Sequence, residues 1–131
     1  MLKGFLSVLA GLGLYMVLFV VVIWGLDTIF PVPPGGPSMG RIVAHVVLVG
    51  MAAFGGGMLT ASVASGKPML HALSFAALIF LLTLPDLLRG PAANEPAMYP
   101  LLISAAVLVG ALAGGSRATR SSASTSVTGT T

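Results

Sequence analysis

Apolar residues run almost unbroken through four stretches, 4–26, 42–64, 69–84 and 98–114, and the polar positions collect in the gaps between them. A hydrocarbon layer about 30 Å thick takes about 20 helical residues at roughly 1.5 Å each, so the first two stretches are of spanning length as they stand. The third reaches that length if its helix continues through Pro85 to residue 88. The fourth is near the lower limit, rich in Ala and Gly, and should stand nearly upright. The pattern predicts an all-α polytopic membrane protein: a four-transmembrane-helix bundle with spans at 4–26, 42–64, 69–88 and 98–114 in a domain of residues 1–115. Residues 116–131 turn to Ser, Thr, Ala and Gly and are expected to form a cytoplasmic tail, disordered unless bound.

Composition supports this class independently of any window. The chain is 56% hydrophobic and 7% charged, with a mean hydropathy of +1.06, far from the roughly 25% charged content of soluble domains. Lys3 before the first apolar run imitates a secretory signal. The run nonetheless continues through Val20, Val21, Val22, Ile23 and Trp24, longer than the 7 to 15 or so residues of a signal core, and reads as an uncleaved anchor. Cysteine is absent, which removes disulfides and thiolate chemistry.

The few charges set an expected orientation. With the N-terminus in the cytoplasm, Lys3, Lys67, Arg117 and Arg120 lie inside and Arg41 and Arg89 outside, together with Asp27, Asp86 and Glu95. The outer side then carries 2 − 3 = −1 and the inner side +4, with both termini cytoplasmic. Trp24 and Tyr99 fall at the outer interface, where an aromatic ring keeps its polar edge wet. The basic balance is thus a topology signal, with membrane lipids as the partner and no patch suited to nucleic acid.

The connections differ in character. Pro31, Pro33, Pro34 and Pro37 with Gly35 and Gly36 favour an extended stretch ending in a turn. Ser65, Gly66, Lys67 and Pro68 predict a tight helical hairpin, with Gly66 as C-cap and Pro68 as helix start. Thr83 three residues before Asp86 has capping-box spacing, and Pro85 between them predicts a kink or stop, followed by a short interfacial turn carrying Asp86 and Arg89.

Small residues carry the packing. Lipid tails give helices no hydrophobic reason to associate, so close approach at Gly, Ala, Ser and Thr becomes a main attraction. Ala52, Gly56, Thr60 and Ala64 repeat every fourth residue, beside Ala53, Gly57, Ala61 and Ser65; the fourth helix has Ala106, Gly110, Gly114 and Ala118, and the first a weaker set in Ser7, Gly11 and nearby Gly13. Packing within the bundle is the plainer use of these faces. Docking against other chains or a second copy is the alternative, because so small a bundle has few internal surfaces. Val47, Leu48, Val49 and Gly50 are echoed by Val107, Leu108, Val109 and Gly110, a hint of duplicated two-helix units.

His45, His71 and Asp86 are the ionisable residues at membrane depth, each a possible ligand or ion contact. The histidines fall at opposite faces of the slab, roughly 20 Å or more apart, too far to share one haem iron or one metal. A single imidazole can ligate a chlorophyll-type magnesium, so pigment ligation stays open, although no cofactor or metal is predicted. An interfacial His bonded to headgroups, carbonyls or water is the plainer reading. No nucleophile, base and oxyanion set can be assembled, so no enzyme is expected.

The segment Gly55, Gly56, Gly57, Met58, Leu59, Thr60, Ala61 through Lys67, Pro68, Met69, Leu70, His71, Ala72, Leu73 resembles a hairpin of small four-helix bacterial membrane proteins, with Gly-Gly, small residues and then basic-Pro-Leu-His. The resemblance implies the bacterial cytoplasmic membrane and brings no activity with it. Fluoride channels and small multidrug exporters share the size, but the channel's Asn-bearing motif and the exporter's membrane-embedded Glu in the first helix are missing. Two functions are carried forward. One is a non-enzymatic accessory or structural subunit packing against a larger membrane complex, such as a photosynthetic or respiratory one. The other is a small oligomeric transporter or channel.

Overall fold

The computed structural model describes residues 2–92 and 94–127, with side chains through Ser121. Four helices, α1 (Leu2–Ile29), α2 (Met39–Val63), α3 (Pro68–Arg89) and α4 (Tyr99–Val127), make up the regular structure of the described residues. Each is long and apolar enough to cross a membrane, as the helices of a multi-pass membrane protein must be. Large apolar side chains stand outside, among them Phe5, Val17, Val20 and Trp24 on α1, as lipid rather than water around the bundle would allow. The loops at 30–38 and 90–98 meet at one end, the distal end. The α2–α3 link and the first and last turns of the helical bundle lie at the other, proximal end.

The bundle is organised around α2, which packs against all three other helices and most extensively against α4. These two helices run parallel. Gly110 stands against the Gly50 carbonyl, Gly114 against the Phe54 carbonyl and Gly57 against the Ala111 carbonyl, so a methyl group at any of the three would overlap backbone. That closeness is the contact small residues permit in lipid. The α1–α2 seam is built likewise: Gly11 sits on Thr60 and the Gly56 carbonyl, and Ser7, Gly11 and Tyr15 form the buried edge of α1. Gly13 faces open space and belongs to no seam. Phe75, Ile79, Val49 and Val107 fill the centre, with Phe75 edge-on to Tyr15 at a ring separation of 6.3 Å. By contrast the backbones of α1 and α4 stay apart.

Three local expectations are corrected. The third helix does not break: α3 passes through Pro85 to Arg89, and the Thr83 hydroxyl bonds back to the Phe80 carbonyl at 2.9 Å rather than capping a new turn. A helix end there would strand several backbone donors at membrane depth, a larger cost than the one bond proline removes. In the hairpin the left-handed residue is Lys67 (φ 45°, ψ 54°), not Gly66, and Ala64 is the C-cap of α2. The Lys67 carbonyl is taken up by the Leu70 amide at 2.9 Å, and Pro68 opens α3. A left-handed Lys costs about 1 kcal/mol more than glycine. Lys67→Gly is therefore expected to raise resistance to detergent unfolding by up to about that amount.

The third correction concerns residues 116–131. Residues 116–127 continue α4 as helix, and 128–131 lie outside the described residues. Composition misled because Ser and Thr were counted as loop formers. Here Ser116 and Thr119 turn their hydroxyls onto the Ala113 and Ser116 carbonyls at 2.9 and 2.7 Å, while Ala118 packs with Ala61 and Ala72. Tertiary contact at Ala118 extends a helix that propensity alone would have ended.

Candidate functional site

The distal end gathers most of the polar groups. Arg41, in the first turn of α2, reaches across to the C-terminal turn of α1. Its guanidinium donates to the Leu26 carbonyl at 2.9 Å and to the Phe30 carbonyl, and pairs with the Asp27 carboxylate at 2.5 Å. The Leu26 carbonyl also accepts from the Phe30 amide at 2.8 Å, and with the Phe30 carbonyl it closes the end of α1, so Arg41 caps α1 while tying the two helices together. Gly36 (φ +104°) lies against the backbone of Asn94, bringing the two distal loops into contact.

One turn deeper than Arg41, His45 Nδ1 is hydrogen-bonded to the Tyr99 hydroxyl at the start of α4, with the rings 5.8 Å apart. His45 Nε2 is enclosed and has no partner among the described residues. With one nitrogen on Tyr99 and the other walled in, His45 is not presented to the face of a pigment. His71 lies at the proximal end, covering Gly4, with Nδ1 3.1 Å from the Lys67 carbonyl. The structure does not bring the two histidines together. Among the described residues no group of three His, Asp or Glu side chains is placed to hold a metal ion.

Asp86 and His45, from α3 and α2, are brought to one place. Both line a cavity of about 710 Å³ at the distal end, within the usual range for ligand sites. All four helices contribute. Tyr15, Phe19, Leu82 and Ile103 give apolar and aromatic walls; Tyr99, Thr83 and Ser104 add hydroxyls; Asp86, Arg89 and Glu95 supply charge. The cavity has a backbone cause, since α1 and α4, which stay apart, face one another across it through Tyr15, Phe19, Tyr99 and Ile103. Tyr15 lies 14 residues before the end of α1, about 21 Å down at 1.5 Å per residue, so the space reaches toward mid-bundle. Asp86 and Arg89 are exposed and form no hydrogen bond or ion pair among the described residues. Glu95 accepts from the Ala92 amide at 3.1 Å.

The small-residue faces are used inside the bundle. Ala52, Gly56, Gly57, Thr60 and Ala61 on α2 and Gly114 on α4 are buried, and Ala64, Ala106 and Gly110 are half-buried. Thr60 is fully enclosed, with its hydroxyl unpartnered against Gly11. Sequence reasoning named Asp86 and His45 but did not join them to Tyr15, Tyr99, Glu95 and Ser104. The available signal was that every acidic residue falls at the same end of the helices as Tyr99. No protein-family model, curated protein or solved structure matches the chain.

Proposed function

We propose that this chain is a multi-pass protein of the bacterial cytoplasmic membrane, with both termini cytoplasmic, that takes up a small amphipathic cation in the distal cavity as a transporter or channel. The observation that supports it is the cavity itself: an aromatic-walled space reaching toward mid-bundle, with carboxylates among its lining groups. Those charged groups sum to 1 − 2 = −1, from Arg89 against Asp86 and Glu95. Tyr15, Phe19 and Tyr99 offer ring faces to an organic cation. The accessory-subunit reading drew its support from small-residue faces looking outward. With Gly56, Gly57, Thr60 and Ala61 turned inward, that support is spent within the chain.

Titration of the purified protein in mild detergent with tetraphenylphosphonium tests the proposal. Saturable binding is expected, weakened about two- to fivefold by Asp86→Asn, a modest factor because an exposed carboxylate acts through screened solvent. A wild-type protein that binds no cation, and instead co-purifies stoichiometrically with another membrane chain, would move the assignment to the accessory role.

A further inference from the structure

The proximal end carries a second feature, independent of the distal cavity. Lys3, Lys67, Arg117 and Arg120 are there and no acidic residue is, since Asp27, Asp86 and Glu95 all lie distally. Two of these charges line a groove between α4 and α2. Arg117, Arg120 and Ser116 on α4 border it, and Ala113, also on α4, and Phe54 of α2 continue it toward the bundle centre. Both arginines are exposed, and neither forms an ion pair among the described residues.

Depth gives the groove its meaning. Arg117 and Arg120 lie 18 and 21 residues beyond Tyr99, about 27 and 32 Å along α4, which is the thickness of a hydrocarbon layer. With Tyr99 at one interface, the arginines stand at headgroup level of the opposite one. Ala113 and the Phe54 side of the groove then sit at acyl depth. An arginine pair above an apolar channel matches a molecule with a phosphate on top and a hydrocarbon chain below. A free phosphate would use only the upper half.

We infer that the Arg117–Arg120 groove binds one anionic phospholipid, its phosphodiester on the two guanidinium groups and an acyl chain along Phe54 and Ala113. The site orders a lipid of the leaflet facing the proximal end, and it holds the last turns of α4 at the membrane surface.

The test is titration of the full chain in a neutral detergent with phosphatidylglycerol, with phosphatidylcholine, with the deacylated glycerophosphoglycerol headgroup, and with inorganic phosphate, read by native mass spectrometry. Wild-type protein is expected to bind one phosphatidylglycerol saturably and the other three far more weakly. Arg117→Gln with Arg120→Gln should weaken that binding about 25-fold, at about fivefold per surface cation. The control Lys3→Gln with Lys67→Gln takes the net charge from +3 to the same +1. It should change binding less than about threefold. All four side chains are exposed, so unchanged helicity and detergent resistance verify the fold of each variant. Equal losses in the two doubles would show a diffuse basic field with no groove site. Equal binding of phosphatidylcholine would remove the anion selectivity, and equal competition by the bare headgroup or by phosphate would remove the lipid; any of these overturns the inference.

Discussion

Gly114→Leu is expected to drive α2 and α4 apart and lower the stability of the bundle by about 3 kcal/mol or more, measured by unfolding in mixed micelles of increasing dodecyl sulfate. Overpacking costs about 1–3 kcal/mol where neighbours can give way. Here a first added carbon already meets the Phe54 carbonyl, with the Met58 amide 2.9 Å away, and backbone on a central helix gives way least. Gly25→Leu is the matched control, because nothing lies within 4 Å of a methyl group at that position. It should unfold like the wild type. Similar losses in the two variants would mean that the α2–α4 seam does not hold the bundle together.

Arg41→Gln is expected to cost about 2 kcal/mol, and Asp27→Asn less than about 1 kcal/mol, in the same assay. The two removals look equivalent on an ion-pair map and differ physically. Asp27 is 59% exposed, so its attraction to Arg41 is screened, whereas the Arg41 side chain is 13% exposed and also satisfies the carbonyls of Leu26 and Phe30. A cation in the first turn of α2 is unfavourable to its own helix and favourable to the C-terminus of α1. The position therefore serves α1. Limited proteolysis of the 30–38 loop should quicken in Arg41→Gln and change little in Asp27→Asn. Equal losses of stability would show that the clamp is ionic and the capping role secondary.

The contrast between the glycines shows what could be read in advance. The four-residue spacing of Ala106, Gly110, Gly114 and Ala118 marks a contact face on α4. It even extends into the stretch whose composition reads as a tail, where Ala118 is buried against Ala61 and Ala72. Spacing could not choose the partner. Gly50 and Phe54 receive the α4 glycines, while Gly56 and Gly57, adjacent in sequence, turn to different helices, Gly56 toward α1 and α3 and Gly57 toward α4. A helix advances about 100° per residue, so neighbours face different directions and only the assembled bundle says what stands in each.

The candidate site was legible as single residues. Asp86, His45, Tyr15 and Tyr99 stand out as polar side chains in apolar runs, but they come from four helices and are spread over 99 − 15 = 84 positions of the chain. Local pattern carries no information on such a gathering. The break expected at Pro85 illustrates the same limit. Proline's local rule favours a stop, but the rule assumes water is available to the freed backbone groups, and within an apolar layer it is not.

The sequence by itself determined the helical class of this protein, the number and approximate position of its helices and which faces are able to approach closely, because hydrophobic runs and small-residue spacing are one-dimensional properties. Tertiary structure alone decided that α2 and α4 form the central parallel pair, that α1 and α4 stay apart, and that the space between them becomes a cavity bordered by Asp86, Glu95 and Arg89. Which helices touch depends on the sum of many weak dispersion contacts over whole faces, and that sum exists only once the helices are assembled.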